Sequence, residues 1–286
     1  MTPPLAEALA AALGERVAEL VPVAGGDLND AFRATLAGGR RVFVKTAADA
    51  APGAYADEAA GLRWLAEPEA LPVPAVVAVD DAFLALAWVD GGDALDEAAL
   101  GRGLALLHRA GAPAPGALPP GVAAPFRIGP VAFPGEPAAS WPAFYAANRL
   151  LPLARRAADA GALDAAGVRA VEAVAARIEE LAGPAEPVAR LHGDLWSGNV
   201  HRGADGQPWL VDPAAYGGHR EVDLAMLQLF GGPGQRCWAA YDEVWPRADG
   251  HEERVALWQL LPLLVHAVLF GGSYGAAARR AAERYA

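Results

Sequence analysis

Apolar and polar residues alternate in short stretches over the first third of the chain, and a helical period replaces this alternation further on. Residues 21–33 contain two short apolar pieces around a turn rich in Gly, Asp and Asn. Arg41–Thr46 is rich in β-branched and aromatic side chains and residues 83–89 are continuously apolar, which predicts a strand in each. Residues 53–67 instead repeat apolar positions every three or four residues, which predicts a helix. This order of elements favours an α+β fold over an alternating parallel-sheet fold.

The rest of the chain is predicted to be mainly helical, with one hairpin. Apolar stripes predict helices over residues 96–109, 141–160 and 165–182, and more helices follow Glu221. A turn at residues 203–208 joins the strand pair of the hairpin. Residues 113–137 hold eight of the 24 prolines and predict an irregular excursion that flanks a pocket. We expect a small β-rich lobe, residues 1–90, and a larger helical lobe, residues 91–286, with a cleft between them.

Composition narrows the function classes. The formal net charge is −11 and no basic cluster occurs, which argues against nucleic acid or an anionic membrane as a partner. Cys237 is the single cysteine, so a disulfide within the chain is excluded. The apolar run Leu260–Phe270 is about half as long as a membrane span and predicts a buried helix. The N-terminus lacks a signal pattern, and a cytoplasmic location is expected.

Two aspartates and one asparagine carry the strongest chemical signal. Asp194 and Asn199 form the Asp-x-x-x-x-Asn spacing in which the aspartate of a kinase accepts a hydroxyl proton and the asparagine binds magnesium. Asp212 follows 18 residues after Asp194, at the far end of the predicted hairpin. Because a hairpin brings its two ends together, Asn199 and Asp212 are predicted to bind Mg²⁺ jointly through oxygen atoms.

The basic residues point to a second part of the same site. The chain has 22 arginines and one lysine, Lys45, which suggests a position that needs a compact point charge. Glu58 lies on the apolar stripe of the helix that follows, where a carboxylate is costly unless it is paired. We therefore expect Lys45 and Glu58 to form the ion pair that positions nucleotide phosphates in kinases.

The remaining nucleotide contacts are predicted from glycines and from the segment between the lobes. Gly25 and Gly26 lie in a turn before Lys45 and would let backbone amides approach phosphate oxygens. The apolar strand that ends at Asp90 is read as the interlobe hinge, and backbone groups from Ala87 to Val89 would bond the adenine edge. Together these features predict a two-lobed, protein-kinase-like architecture with ATP in the cleft.

Five sequence stretches match a known family: GGDLNDAFR, FVKT, HGDLWSGN, DPAAYGGHREVDLAM and LLVHAVLFGGSY. They make the chain similar to the fructosamine kinase (ketosamine-3-kinase) family, whose relatives include aminoglycoside phosphotransferases and choline kinases. The Trp196–Ser197 pair within HGDLWSGN is the most specific of these matches, and a cysteine found in the Gly-rich turn of some members is replaced by Asp27.

The resemblance implies transfer of the γ-phosphoryl group of ATP to the sugar 3-hydroxyl of a ketosamine. The phosphorylated ketosamine then decomposes by spontaneous elimination, which implies a role in protein deglycation. By the same resemblance Asp194 is the base, and Asn199 and Asp212 are the magnesium ligands. The other implied roles fall into two groups: substrate contacts from Trp196, His219, Arg220 and Glu221, and structural support of the loop from His192 and Asp223.

Two other functions share the same nucleotide site. A small-molecule kinase of the aminoglycoside or choline type would differ only in its acceptor contacts, and a nucleotide-binding regulator would lack turnover. The intact set of Lys45, Asp194, Asn199 and Asp212 argues against the regulator. The sequence leaves open whether the acceptor is a free amine or a glycated protein, how long its sugar is and which oligomeric state the chain adopts.

Overall fold

The N-terminal lobe of the computed structural model is built on an antiparallel sheet. The model describes residues 3–23, 29–123 and 125–286. The five strands lie in the order β1-β2-β3-β5-β4, and each neighbouring pair is antiparallel. Their bounds are β1 Val17–Pro22, β2 Asp30–Leu36, β3 Arg41–Thr46, β4 Val76–Val79 and β5 Leu84–Ala87. The expected strand at 83–89 is thus shorter than predicted.

One helix covers each face of this sheet. Helix α1, Pro3–Leu13, packs its Leu9 against Val42 and Val44 of β3. Helix α2, Ala54–Ala66, packs against the opposite face, where Leu84 and Leu86 lie. Because side chains alternate along a strand, Lys45 points to the α2 face together with Phe43. The sheet therefore aims its lysine at the helix that carries Glu58.

The C-terminal lobe is mainly helical, as expected. Helix α3 begins after Asp96, whose carboxylate accepts a hydrogen bond from the Ala99 amide at 2.9 Å and caps the helix. The predicted helix at 141–160 is continuous but contains a π-helical turn, Ala146–Leu150, between α4 and α5. The helices are α3 Glu97–Arg109, α4 Trp141–Tyr145, α5 Leu151–Asp159, α6 Ala165–Ala176, α7 Ile178–Leu181, α8 Glu221–Leu229, α9 Gln235–Val244, α10 His251–Trp258, α11 Leu260–Phe270 and α12 Tyr274–Ala282.

Three short strand pairs belong to this lobe. Inside the Pro-rich excursion, β6 Phe126–Ile128 pairs with β7 Val131–Phe133, a hairpin that sequence reasoning did not predict. Residues of this hairpin line the cleft between the lobes, as expected for a flanking segment. The other pairs are β8 Ala189–Leu191 with β11 Tyr216–Gly218, and β9 Val200–Arg202 with β10 Pro208–Leu210.

The linker between the lobes is bonded to the β9–β10 hairpin. The Gly92 amide donates to the Arg202 carbonyl and the Ala204 amide donates to the Asp90 carbonyl, both at 2.8 Å. The division into residues 1–90 and 91–286 stays a prediction, and this linker is where it would fall.

Helices α10 and α11 form the most apolar part of the chain. By length and composition alone, the stretch His251–Phe270 could cross a membrane, since it has 20 residues and a mean hydropathy of 1.4. However, 61% of its most apolar window is buried inside the fold. Trp258 and Leu264 are fully covered by the C-terminal core, which fits the predicted buried helix.

Close contact between α3 and α9 depends on a residue without a side chain. A Cβ atom added at Gly101 would overlap the carbonyl oxygen of Cys237 and lie 3.0 Å from the amide nitrogen of Tyr241. Both atoms belong to the α9 backbone, which cannot move away as a flexible side chain can. The two helices enclose one side of the core beneath the β9–β10 hairpin.

Replacing Gly101 by alanine is therefore expected to destabilise the protein. Overpacking of this kind costs about 1–3 kcal/mol, and the better helix propensity of alanine returns only about 1 kcal/mol. Thermal unfolding should show a lower Tm for Gly101→Ala. The matched control is Gly135→Ala, since an added Cβ there meets no atom within 4 Å. Equal Tm values for the two variants would contradict the packing argument.

Candidate active site

The β9–β10 hairpin holds the predicted catalytic segment in place. Strand β9 starts directly after Asn199, and the Val211 amide donates to the Asn199 carbonyl at 3.1 Å. Asn199 and Asp212 thus meet at the open end of the hairpin, as the spacing predicts. The strands of this hairpin are predicted at residues 199–202 and 209–212 and are observed at Val200–Arg202 and Pro208–Leu210.

Asp194 and Asn199 are joined by hydrogen bonds. The side-chain nitrogen of Asn199 donates to the Asp194 carbonyl at 2.8 Å and to its carboxylate at 3.2 Å. It also lies 3.5 Å from the backbone carbonyl of Asp212. These bonds fix the amide orientation, so the Asn199 oxygen is the atom left to bind a cation.

The environment of Asp194 suits a proton acceptor. Burial, together with the negative charge of Asp212, raises the pKa of the Asp194 carboxyl to about 6, while the bond from Asn199 opposes this rise. A base with a pKa just below the working pH is ionised and still accepts a proton effectively. Asp194 faces the interlobe cleft, where a hydroxyl group can reach it.

Lys45 joins the two lobes at the back of the cleft. Its ammonium group lies 2.8 Å from a Glu58 oxygen and 3.0 Å from an Asp212 oxygen. Burial by itself would lower the pKa of Lys45, but the two carboxylates outweigh it and raise this pKa. The predicted Lys45–Glu58 pair is therefore present with a charged lysine, and Asp212 is a third member that the sequence did not reveal. Burial raises the pKa of Glu58, and the charge of Lys45 opposes this rise.

Asp212 adopts a backbone conformation that is rare for its residue type. Its φ angle is +53°, and among the described residues only Glu69 is another non-glycine with positive φ. A left-handed residue other than glycine costs on the order of 1 kcal/mol. The surrounding bonds of the hairpin and of Lys45 hold this strained residue in place, at the position predicted to bind the metal.

Asn199 and Asp212 offer the oxygen atoms that Mg²⁺ prefers. Protein sites for Mg²⁺ in phosphoryl transfer use one or two such side chains and complete the shell with phosphate oxygens and water. Within the described ranges no group of three or more His, Cys, Asp and Glu side chains could hold a metal by itself. The donor set therefore fits an ion that enters with the nucleotide.

Asp223 organises the backbone of the catalytic loop. Its carboxylate accepts hydrogen bonds from the amides of His192 at 2.7 Å and Gly193 at 2.9 Å. The buried His108 ring lies 3.3 Å from the same carboxylate, a contact that the sequence did not indicate. His192 itself is fully buried and bonds the Val211 carbonyl at 2.9 Å through Nε2. Burial lowers the pKa of His192, which favours the neutral ring.

Three of the four predicted substrate contacts lie away from the cleft. Arg220 and Glu221 are buried and form ion pairs with Glu186 at 2.6 Å and Arg254 at 2.7 Å. His219 is also buried, where its ring stacks on Trp258. The structure therefore corrects the expected contacts of His219, Arg220 and Glu221. These side chains stabilise the interior of the C-terminal lobe, because each has its partners there.

Trp196 is the predicted substrate residue that does line the cleft. Its side chain is 38% exposed, and its ring packs edge-on against Phe230 with a centroid distance of 6.2 Å. Its indole also covers Gly198, where an added Cβ would overlap the ring. Glycine at position 198 thus lets the indole lie flat over the loop that carries Asp194.

The predicted contacts with the adenine ring and with the nucleotide phosphates have different outcomes. The Ala87 amide donates to the Ala75 carbonyl at 2.8 Å, so its N–H group is used within the lobe. A contact of the Ala87 carbonyl with adenine stays a prediction. Val89 lies in the linker, and its contact with adenine stays a prediction. Gly25 and Gly26 lie outside the described residues.

Sequence reasoning missed one side of the cleft. This side of the cleft is lined by Met226 of α8 and by four residues of α11: Leu261, Pro262, Val265 and His266. Helix α11 is apolar on nearly every face, which predicts burial but does not show which face borders a cavity. Pro262 and His266 were the available signal, since both are unusual in an apolar run.

Comparison with known proteins identifies the family. Residues 1–286 match the fructosamine kinase family over the full chain. The chain belongs to the fructosamine kinase family. A Thermus thermophilus protein named probable ketoamine kinase is 39% identical over 91% of this chain and 92% of its own. The crystal structure of a candidate fructosamine-3-kinase from Thermobifida fusca has a TM-score of 0.89 at 44% identity, with 98% of both chains covered.

A more distant structure defines the fold class. An aminoglycoside phosphotransferase solved with ADP and hygromycin B has a TM-score of 0.63 at 19% identity and covers 98% of this chain and 96% of its own. At this identity the similarity shows the fold alone. The predicted α+β, protein-kinase-like fold and the resemblance to fructosamine kinases are both confirmed.

The raised pKa of Asp194 predicts how this fructosamine kinase family member responds to pH. Folding raises that pKa from 3.8 to about 6, so the folded protein binds the proton more tightly than the unfolded chain does. The wild type therefore loses stability as pH rises through 6. Asp194→Asn avoids this loss, so its stability relative to the wild type should rise by about 2–3 kcal/mol between pH 4 and pH 8, and thermal unfolding should show this as a rise in its relative Tm.

Asp81→Asn removes an exposed aspartate and serves as the control for this pH series. A Tm difference between Asp194→Asn and the wild type that stays constant from pH 4 to pH 8 would contradict the raised pKa.

Asp223→Asn is expected to weaken both the fold and the catalytic loop. An asparagine has one acceptor oxygen for the amides of His192 and Gly193, and it leaves a buried donor unsatisfied at a cost of about 1–3 kcal/mol. Thermal unfolding should show the loss of stability, and a kinase assay should show a lower kcat. An unchanged Tm would exclude the bracing role of Asp223.

Proposed function

We propose that this member of the fructosamine kinase family transfers the γ-phosphoryl group of ATP to the sugar 3-hydroxyl of a ketosamine. The observation that carries the proposal is the meeting of Asp194, Asn199, Asp212 and the Lys45–Glu58 pair at one cleft. A phosphoryl-transfer site needs a base, a metal-binding pair and a cation for the phosphates, and this cleft supplies all three.

In this mechanism each side chain has one task. Asp194 accepts the proton of the sugar 3-hydroxyl. The hydroxyl oxygen forms the new bond to the γ-phosphorus, and the bond from this phosphorus to the ADP oxygen breaks. Lys45, held by Glu58, neutralises charge on the nucleotide phosphates. Asn199 and Asp212 hold Mg²⁺, which when bound screens the phosphate charge and orients the transferred group.

The product explains why such a reaction repairs amines. After enolisation towards carbon 1, the phosphate ester on carbon 3 lies on an allylic carbon, so inorganic phosphate leaves. Hydrolysis of the remaining imine then releases the free amine. No second active site is required, because these later steps follow from the chemistry of the product.

The acceptor is a ketosamine as a free amine adduct or as a glycated lysine of a protein. A net charge of −11 disfavours nucleic acid as a partner. The single cysteine, Cys237, is buried, which fits the cytoplasmic location included in this proposal.

A coupled ADP assay with MgATP and a panel of acceptors tests the proposal. We expect ADP release with fructosamine or ribulosamine adducts and none with an aminoglycoside or choline. ADP release with choline or an aminoglycoside alone would instead favour the small-molecule kinase. Binding of ATP without turnover of any acceptor would favour the nucleotide-binding regulator.

Asp194→Asn separates the base role from nucleotide binding. The variant should lose nearly all turnover, since Asp194 is the side chain assigned to accept the hydroxyl proton, while calorimetry should show ATP affinity within a few-fold of the wild type. An equal loss of ATP binding would contradict the role of Asp194 as the base.

A further inference from the structure

An array of aromatic rings extends from the catalytic loop along one wall of the cleft. The Phe230 ring lies 6.2 Å from Trp196 and 5.1 Å from His266, and the His266 ring lies 5.5 Å from Phe270 and 5.0 Å from Tyr274. We call these five residues the aromatic shelf. Its far end is built by the LLVHAVLFGGSY segment, to which the reaction described above assigns no role.

Two consecutive glycines give the shelf its shape. Helix α11 ends at Phe270, and Gly271 and Gly272 follow with φ angles of +63° and +60°. Side chains other than glycine rarely adopt two such angles in succession. The resulting reversal starts α12 at Tyr274 and lets both Phe270 and Tyr274 pack on His266. The sequence therefore specifies this arrangement of rings rather than merely allowing it.

The shelf leaves apolar surface uncovered beside the catalytic base. Among the described residues, three large apolar side chains are exposed: Trp196 at 38%, Phe270 at 46% and Leu106 at 49%. Leu106 lies alone on α3, but Trp196 and Phe270 belong to the same ring array and both line the cleft that contains Asp194. Isolated exposed apolar residues are ordinary, whereas a connected apolar wall in a cleft is typical of a ligand site.

The chemistry of a ketosamine places its amine next to this wall. The nitrogen is bonded to carbon 1 of the sugar, only two carbons from the carbon that bears the reacting hydroxyl. When that hydroxyl lies at Asp194, the nitrogen lies in the same cleft, whose wall includes Trp196. The nitrogen is a cation when protonated, and the face of an indole attracts cations. Any chain on the nitrogen would then leave the cleft along the wall that contains His266 and Phe270.

We propose that the aromatic shelf binds the group carried by the ketosamine nitrogen. It makes adducts of amines with extended apolar chains, such as the methylene chain of a glycated lysine, better substrates than adducts of short or hydrophilic amines. This inference rests on the proposed ketosamine kinase function and adds the part of the substrate that the enzyme selects.

A series of fructosamines made from ethylamine, butylamine and hexylamine tests the shelf. For the wild type, kcat/KM should rise roughly twofold per added methylene, which is about half the gain expected for full burial. From the ethyl to the hexyl adduct the rise is on the order of tenfold. Phe270→Ala should flatten this series, because it should lower kcat/KM most for the hexylamine adduct and least for the ethylamine adduct.

Two further variants control for indirect effects. Leu106→Ala removes a similarly exposed apolar side chain outside the cleft and should keep the full dependence on chain length. Phe270→Leu retains an apolar surface at the shelf and should keep most of the dependence. Tm values near that of the wild type for all three variants would show that the fold is intact, as expected for changes at exposed positions.

The outcomes separate this inference from the function on which it rests. Equal kcat/KM for all three adducts, or an unchanged series in Phe270→Ala, would overturn the shelf while leaving the kinase function in place. Absence of turnover with every ketosamine would overturn the proposed function and the shelf together. Loss of the chain-length dependence in Phe270→Ala alone supports the shelf.

Discussion

The ammonium group of Lys45 is held from two sides, by Glu58 of its own lobe and by Asp212 of the other lobe. Strand β3, helix α2 and the catalytic hairpin must therefore all be correctly placed before this charge is satisfied. A buried charge that loses its partner costs several kcal/mol. The arrangement also lets Asp212 turn to a metal ion, because Lys45 would still keep Glu58 as a partner. One side-chain charge thus links the fold of the small lobe to the chemistry of the large lobe.

Buried polar groups of the C-terminal lobe support the catalytic loop and the helix that follows it. Asp223 fixes the loop backbone before Asp194, while Arg220 and Glu221 use their charges inside the lobe. Buried ion pairs of this kind add little net stability compared with apolar packing, but they tolerate few alternative arrangements. Arg220 and Glu221 lie at the start of α8, the helix that carries Asp223, so their ion pairs fix the start of that helix within the lobe.

Much of this molecule could be predicted from short-range sequence patterns. Strand β3, the partner of Lys45 and the meeting of Asn199 with Asp212 all follow from spacing, because each depends on one strand, one helix face or one hairpin. The direction of the side chains at His219, Arg220 and Glu221 could not be predicted in this way. Their partners, Glu186, Arg254 and Trp258, lie about 30 to 40 residues away in sequence, and no local pattern encodes such pairings. The same limit applies to α11, whose cleft-facing side is decided only by packing.

Asp90 contacts both lobes, one through its carboxylate and the other through its backbone carbonyl. Its carboxylate forms a two-pronged pair with Arg41 of β3, at 2.8 and 2.7 Å, and its carbonyl accepts the bond from Ala204 of the large lobe. The pair with Arg41 is exposed, and such pairs are worth only about 0–1 kcal/mol. Releasing this side chain therefore costs little, and the backbone of the linker stays joined to the hairpin. The Lys45–Asp212 pair and the bond from the Leu210 amide to the Pro72 carbonyl at 3.0 Å still join the lobes, so the contact at Asp90 can break without separating the small lobe from the hairpin that carries Asn199 and Asp212.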